Sequence, residues 1–435
     1  MQRGFAQRIV AAKVAPVASA SRAEVRSGIL TRPHALLVLI GSLSVFGPLC
    51  IDMYLPAFPR ITRDLHAGAS LVQLSLTACM IGLGLGQLLI GPFSDRFGRR
   101  RPLLAGISLF VLASVACALA PGIYGLVALR FFQGFGGAAG IVISRAIVRD
   151  LFADTAAARF FSMLVLVTGL GPIIAPQIGA SLLRVTSWRG VFVVLAIAGS
   201  LIAVIAALRL PETLAPEHVR SGGFSDTLHE MRLVLTDRAF LGNTLAIGLA
   251  FGAVISYVSG SSFVFENIFH LSPQTYGLVF ALNACGMIGG SQLSARLVSR
   301  LGSVRLMTFA LSGQAIAGVT LLIAVTSKSV GLPAIMPALF LLMTSMGCAG
   351  PNGTALALND FPHTAGSASA LMGLIQFSIG ALVAPLMGVA GNHSALPMAT
   401  SIAMFATAAL GLRLFLTRVR KLNDPGNLES IPEIA

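Results

Sequence analysis

Gly91-Pro92-Phe93-Ser94-Asp95-Arg96-Phe97-Gly98-Arg99-Arg100-Arg101-Pro102-Leu103-Leu104 places one carboxylate and four guanidiniums on a short glycine-bearing stretch between two long apolar runs. The charges cannot sit in hydrocarbon, whereas about 20 apolar residues on either side can span its ~30 Å. The stretch therefore reads as a loop between two membrane helices. Similar apolar runs recur along all 435 residues, which are 55% hydrophobic and 11% charged. A water-soluble domain carries about a quarter charged residues. The composition excludes a soluble fold and predicts an all-α membrane protein.

Working outward from that loop, spans fall at roughly 35–58, 70–93, 102–121, 123–144, 160–183 and 190–209, and again at 241–265, 275–295, 305–327, 332–358, 366–390 and 396–416. The predicted organisation is a basic tail (1–34), a six-helix bundle (35–209), a polar central loop (210–240), a second six-helix bundle (241–416) and a C-terminal tail (417–435). The net charge of +14 comes from short arginine clusters between apolar runs and lacks the aromatic interleaving of a nucleic-acid groove. On the side of the N-terminus 24 Lys and Arg accumulate, against five on the other: Arg60, Arg63, Arg184, Arg189 and Lys328. The positive-inside rule then puts both termini and the central loop in the cytoplasm of a bacterial inner membrane. The Arg- and Ala/Ser-rich residues 1–34 also read as a mitochondrial presequence, an alternative to a plain cytoplasmic tail. Trp188, Tyr54, Tyr124 and Tyr276 fall near the outer span ends, as an interfacial aromatic belt requires.

The two halves repeat. A shift of 209 residues lays Gly171-Pro172-Ile173-Ile174-Ala175-Pro176-Gln177-Ile178-Gly179 over Gly380-Ala381-Leu382-Val383-Ala384-Pro385-Leu386-Met387-Gly388, a shared G-x-x-x-A-P-x-x-G pattern in the fifth and eleventh spans. A shift of 204 lays Asp95-Arg96-Phe97-Gly98 over Ser299-Arg300-Leu301-Gly302. Parallel six-helix repeats place a substrate cavity between halves that rock about it.

The opening loop closely resembles the signature G-x-L-x-D-R-x-G-R-R-x-x-L of the major facilitator superfamily, departing from it at Phe93. Asp52-Met53-Tyr54-Leu55-Pro56, Arg130-Phe131-Phe132-Gln133-Gly134 with Arg145-Ala146-Ile147-Val148-Arg149-Asp150, and Ala365-Gly366-Ser367-Ala368-Ser369-Ala370-Leu371 look like the Bcr/CflA group of drug/proton antiporters. The resemblance implies the major facilitator fold of twelve helices in two pseudo-symmetric bundles, with export of small drug-like molecules driven by inward proton flow. It implies a cytoplasmic gate at Gly91, Asp95, Arg96, Gly98, Arg99 and Arg100, in which Asp95 engages the other half, with Ala365-Gly366-Ser367 as partner. It also implies an antiporter motif at Gly171, Pro172, Ala175, Pro176 and Gly179, although Ala180 stands where that motif has a second glycine.

Of sixteen acids only Asp52 falls clearly within a span, and of thirty basic residues only Arg130 does. A charge there costs roughly 3 kcal/mol or more, so it normally faces a cavity and has a partner. Each lies about seven residues from the same membrane face, ~10 Å deep at 1.5 Å per residue, so the two are predicted to meet as a proton-coupling pair. The 204-residue shift puts Ser256 opposite Asp52. Proton chemistry is thus expected in the N-terminal half, with Tyr54, Gln133, Tyr257, Asn283, Asn352, Gln376 and Phe377 as cavity residues. Glu266, Asp360, His270 and His363 near span ends are read as solvated. No ATP-binding loop, catalytic constellation or metal cluster is evident, and no cofactor is expected. The expected partners are a small-molecule substrate, protons and the bilayer, with no nucleic acid, for a chain acting as a monomer. A proton-coupled transporter of an amino acid, sugar or organic acid is the alternative.

Overall fold

In hydrocarbon every backbone N–H and C=O must be satisfied within the segment itself, so an open chain can cross only as helix. The computed structural model describes residues 33–152, 154–215, 231–327, 331–361, 364–388 and 394–422, and these are helical nearly throughout, with no strand among them. The first half holds α1 (Pro33–Asp52), α2 (Ala69–Phe97), α3 (Arg100–Ala118), α4 (Ile123–Leu151), α5 (Asp154–Val185) and α6 (Arg189–Arg209). A short 3-10 turn, Leu55–Ala57, and a short helix, Phe58–Asp64, follow α1. The second half holds α7 (Arg238–Ser262), a π-helical turn (Phe263–Ile268), one long helix Pro273–Thr326, α10 (Leu332–Leu358), α11 (Ala365–Val383) and α12 (Leu396–Leu422).

The long helix is two spans in one. Gly302 interrupts it at φ 73°, ψ 154°, leaving 273–301 as α8 and 303–326 as α9. Gly98, between α2 and α3, takes φ 86°, ψ 169°. These are the positions that the 204-residue shift superposes, and among described residues they are the two glycines at positive φ. That region of φ/ψ is nearly closed to any residue with a Cβ, so the sequence echo is a backbone device for turning the chain that the two halves share.

The halves echo each other in packing as well. Gly134 of α4 lies against the Cys79 carbonyl of α2, and Gly347 of α10 against the Met287 carbonyl of α8, each leaving no room for a side chain. Large apolar side chains such as Leu112, Leu208 and Leu382 point outward and are at least two-thirds exposed. Bilayer covers such a surface, which in water would be an aggregation hazard.

The halves meet along two seams. In one, Gln73 of α2 donates from Nε2 to the Ser259 carbonyl of α7 (3.0 Å), and Thr77 from Oγ1 to the Ala381 carbonyl of α11 (2.8 Å). In the other, Gln274 of α8 donates from Nε2 to the Ala180 carbonyl of α5 (2.9 Å). All three bonds lie toward the face opposite the Gly91–Leu104 loop, hereafter the basic face.

The expected aromatic belt requires correction. Trp188, Tyr54 and Tyr276 are fully buried inside the protein, and only Tyr124 of the four points outward. Closeness to a span end fixes depth, whereas the direction in which a ring points depends on its helix face. Most of the basic tail, residues 216–230 of the central loop, His363 and residues 423–435 lie outside the described residues.

Candidate functional site

Asp52, at the last turn of α1, is buried. Arg130, near the start of α4, is wholly buried, yet the two do not pair. Among the described residues the ion pairs all lie at Arg99. The guanidinium of Arg130 points instead into the N-terminal bundle. Its Nη1 donates to Gln133 Oε1 (2.5 Å), and Gln133 passes the contact on through Nε2 to Ser114 Oγ of α3 (2.7 Å). Its Cζ lies 4.6 Å from the centroid of the Tyr54 ring and 5.7 Å from that of Phe192. The Tyr54 hydroxyl is 3.0 Å from Ser75 Oγ of α2.

This arrangement leaves the charge incompletely compensated. A buried ion loses several kcal/mol of hydration. One hydrogen bond to a charged group returns about 1.5–3 kcal/mol, and a desolvated cation–π contact about 2. Nε and Nη2 find no protein partner, and the titratable side chains that bear on Arg130 are Cys79, Cys50, Tyr54 and Cys117. The sulfurs of Cys50 and Cys79 lie 3.5 Å apart beside this cation.

Asp52 lies between this cluster and the second half. Its charge acts on Tyr257 of α7 and Tyr276 of α8, both in the opposite half. Tyr257 accepts from Asn283 Nδ2 (2.9 Å) and stacks on Phe280 at 5.5 Å, while the Tyr276 hydroxyl is 3.0 Å from Ser261 Oγ. Asn283 Oδ1 is buried without a partner. Asp52 and Arg130 thus sit at similar depth, both within electrostatic reach of Cys50, without forming an ion pair.

The other predicted cavity residues divide. Phe377 sits in the α2–α11 seam with its Cβ against Gly84 and its ring 5.8 Å from that of Phe251, and Gln376 beside it is half-buried. Asn352 donates to Ser294 Oγ (2.6 Å) and to the Cys348 carbonyl (2.8 Å), which commits it to α8–α10 packing within the second bundle. In α5, Gly171, Ala175, Pro176 and Gly179 are buried and Pro172 partly so. Gly179 packs on the Met53 carbonyl, and Gln177, two residues before it, lies against Gly277 across the second seam.

At the basic face, Asp95 does not reach the other half. It contacts Arg99, which also donates from Nε to Asp150 Oδ2 (2.8 Å) and from Nη1 to Ser94 Oγ (2.9 Å). Burial alone would lower the Arg99 pKa, but the bonds to Asp150 and Asp95 outweigh it and hold the guanidinium above its ordinary value. Gly91 is half-buried, while Arg96 and Arg100 are exposed. The Arg149 guanidinium is the group that lies near Gly366 at the start of α11. Glu212, which follows α6, accepts from the backbone N–H of Arg99 (2.7 Å) and Arg100 (3.2 Å) and so caps α3. Carboxylates at helix N-termini are favoured by the unpaired N–H groups there. A lone acid directly after a span, in a loop rich in arginine, was the available signal for this role.

Two matched bundles, glycine turns at equivalent loops and buried ionisable groups beside the seams leave one assignment once the sequence comparison is added. The sequence profile described as Major Facilitator Superfamily matches residues 40–385. The chain belongs to that superfamily. Within it, the chain is 42% identical over 390 residues to YdgK, an uncharacterised MFS-type transporter of Bacillus subtilis, covering 89% of this chain and 96% of that one. It is 30% identical to the bicyclomycin resistance protein homolog of Haemophilus influenzae, covering 90% and 98%. Among solved structures it superposes on a POT family transporter bound to 5-aminolevulinic acid with a TM-score of 0.67 at 14% identity, covering 88% and 94%. As a major facilitator it is a multi-pass membrane transporter and not an enzyme, and its drug-resistance relatives place it with Bcr/CflA-type efflux proteins.

Proposed function

We propose that the chain exports small drug-like molecules across the bacterial inner membrane in exchange for protons, with the basic face and both termini in the cytoplasm. The observation that carries this reading is the placement of Asp52, a buried carboxyl at the last turn of α1 within electrostatic reach of Tyr257 and Tyr276 of the other half. A group so placed changes surroundings when the halves move. Desolvation favours its neutral form and hydration its anion, so each conformation can set its proton occupancy. Proton and substrate then occupy the seam in turn, one leaving as the other enters.

Arg130 takes a different part from the one its depth suggested. Sealed among Gln133, Tyr54 and Phe192, it is a fixed positive charge behind the site. The apolar and neutral polar neighbours of the seam, among them Phe377, Tyr257 and Asn283, suit substrates without strong net charge. In proteoliposomes, an imposed pH gradient should drive accumulation of a transported drug by the parent protein and not by Asp52→Asn. Equal accumulation by both would remove Asp52 from the coupling. No accumulation of any tested drug, with gradient-driven movement of an amino acid or organic acid, would favour a metabolite carrier.

A further inference from the structure

One carboxyl beside the seam has no role in this scheme. Glu266 lies in the π-helical turn Phe263–Ile268 that continues α7 at the face opposite the basic loops. Expected to be solvated, it is instead partly buried, and its Oε1 is sealed from water with no hydrogen-bond partner. π-Helical turns interrupt α-helices mostly at functional positions, because the wider ring re-aims the side chains it carries. The cations that act on Glu266 come from the other half, Arg60 and Arg63 of the short helix Phe58–Asp64, while Tyr276 faces it from its own half. Neither arginine is bound to it. Arg60 Nη1 donates to the Leu183 carbonyl (2.6 Å) and Arg63 Nε to the Pro59 carbonyl (3.3 Å). The same two segments also touch through Phe58 and Phe263, whose ring centroids are 6.0 Å apart.

We infer that Glu266 is a latch residue for the face opposite the basic loops: the field of Arg60 and Arg63 in the N-terminal half holds it while that face is shut and releases it when the halves part. Opposite charges on two bodies that separate lose their attraction as water enters between them. The carboxylate therefore favours the shut arrangement. The inference rests on alternating access between the two bundles and not on proton coupling at Asp52.

The test measures distance and needs neither substrate nor gradient. Spin labels at Val185→Cys and Thr275→Cys, both exposed, report the gap between α5 and α8 in lipid nanodiscs, in a transport-competent background with the five native cysteines replaced. Glu266→Gln should raise the separated population about threefold, and Glu266→Lys more, through repulsion from Arg60 and Arg63. Arg63→Gln, an exposed position that tolerates change, should shift the population in the same direction and less far, since Arg60 remains. Adding Arg63→Glu to Glu266→Lys should restore the closed distribution. Distances in monodisperse Glu266→Gln and Arg63→Gln proteins that match the parent would overturn the latch, even with Asp52-dependent transport intact. Loss of Asp52 dependence with these shifts present would remove the coupling scheme and leave the latch standing.

Discussion

The two bundles share a backbone plan and differ in what they bury. The N-terminal interior holds a guanidinium, Arg130, against Tyr54, Phe192 and Gln133, with a carboxyl, Asp52, at the seam. Where the Gly134–Gly347 echo sets Arg130 the C-terminal bundle has the buried Met343, and opposite Asp52 it has Ser256, whose hydroxyl donates into its own helix at the Gly252 carbonyl (2.9 Å). Around the seam its polarity is neutral, built from the Tyr257–Asn283 and Tyr276–Ser261 pairs, and its buried guanidinium, Arg413 of α12, donates instead to Asn243 Oδ1 of α7 (2.9 Å) within the bundle. Neutral pairs cost little to bury once bonded, whereas the unmatched cation is expensive. Both bundles bury a guanidinium, but at the depth of Asp52 the fold has divided its labour: charge handling in the first bundle, neutral contacts in the second.

The largest expected effect separates Asp52 from Ser256. Asp52→Asn should cut gradient-driven transport at least a hundredfold in proteoliposomes, and Ser256→Ala less than twofold. Next come the interiors. Arg130→Ala should reduce the maximal rate about tenfold, since the fixed charge behind the site is lost. Asn283→Ala should instead raise KM about threefold with the rate unchanged, because it removes only a neutral partner of Tyr257. A KM effect for Arg130→Ala alone would break the division of labour.

Smaller effects sharpen the comparison at the basic face. Gly98→Ala and Gly302→Ala both force a Cβ into a glycine-only conformation, costing about 1–3 kcal/mol each. An added Cβ at Gly98 also meets the Glu212 carboxylate, whereas at Gly302 it meets nothing. Thermal melting should therefore fall further for Gly98→Ala. Glu212→Gln, which weakens the cap on α3, should lower the melting temperature least, by an amount corresponding to ~1 kcal/mol.

The fold was legible because hydrocarbon imposes it. Apolar runs, a glycine at each pseudo-equivalent loop and the paired G-x-x-x-A-P-x-x-G patterns needed no tertiary knowledge to read. Side-chain direction was a different matter. Asp52 and Arg130 lie at matching depth, yet depth says nothing about azimuth around the bundle, and the inferred pair separates in the structure. Trp188, Tyr54 and Tyr276 miss the belt for the same reason. Asp95 was placed across the seam when a closer cation, Arg99, stood four residues away on its own loop. Glu266 looked solvated because span ends usually are, and nothing in its local sequence announced the π-helical turn or the arginines opposite.

Proton release on substrate addition tests the central claim most directly. Purified protein in weakly buffered detergent solution should release close to one proton per substrate bound as the ligand displaces the proton from Asp52, and Asp52→Asn should bind with no pH change. Equal release from both proteins, or binding by the parent with none, would contradict a carboxyl at the seam that exchanges its proton for substrate.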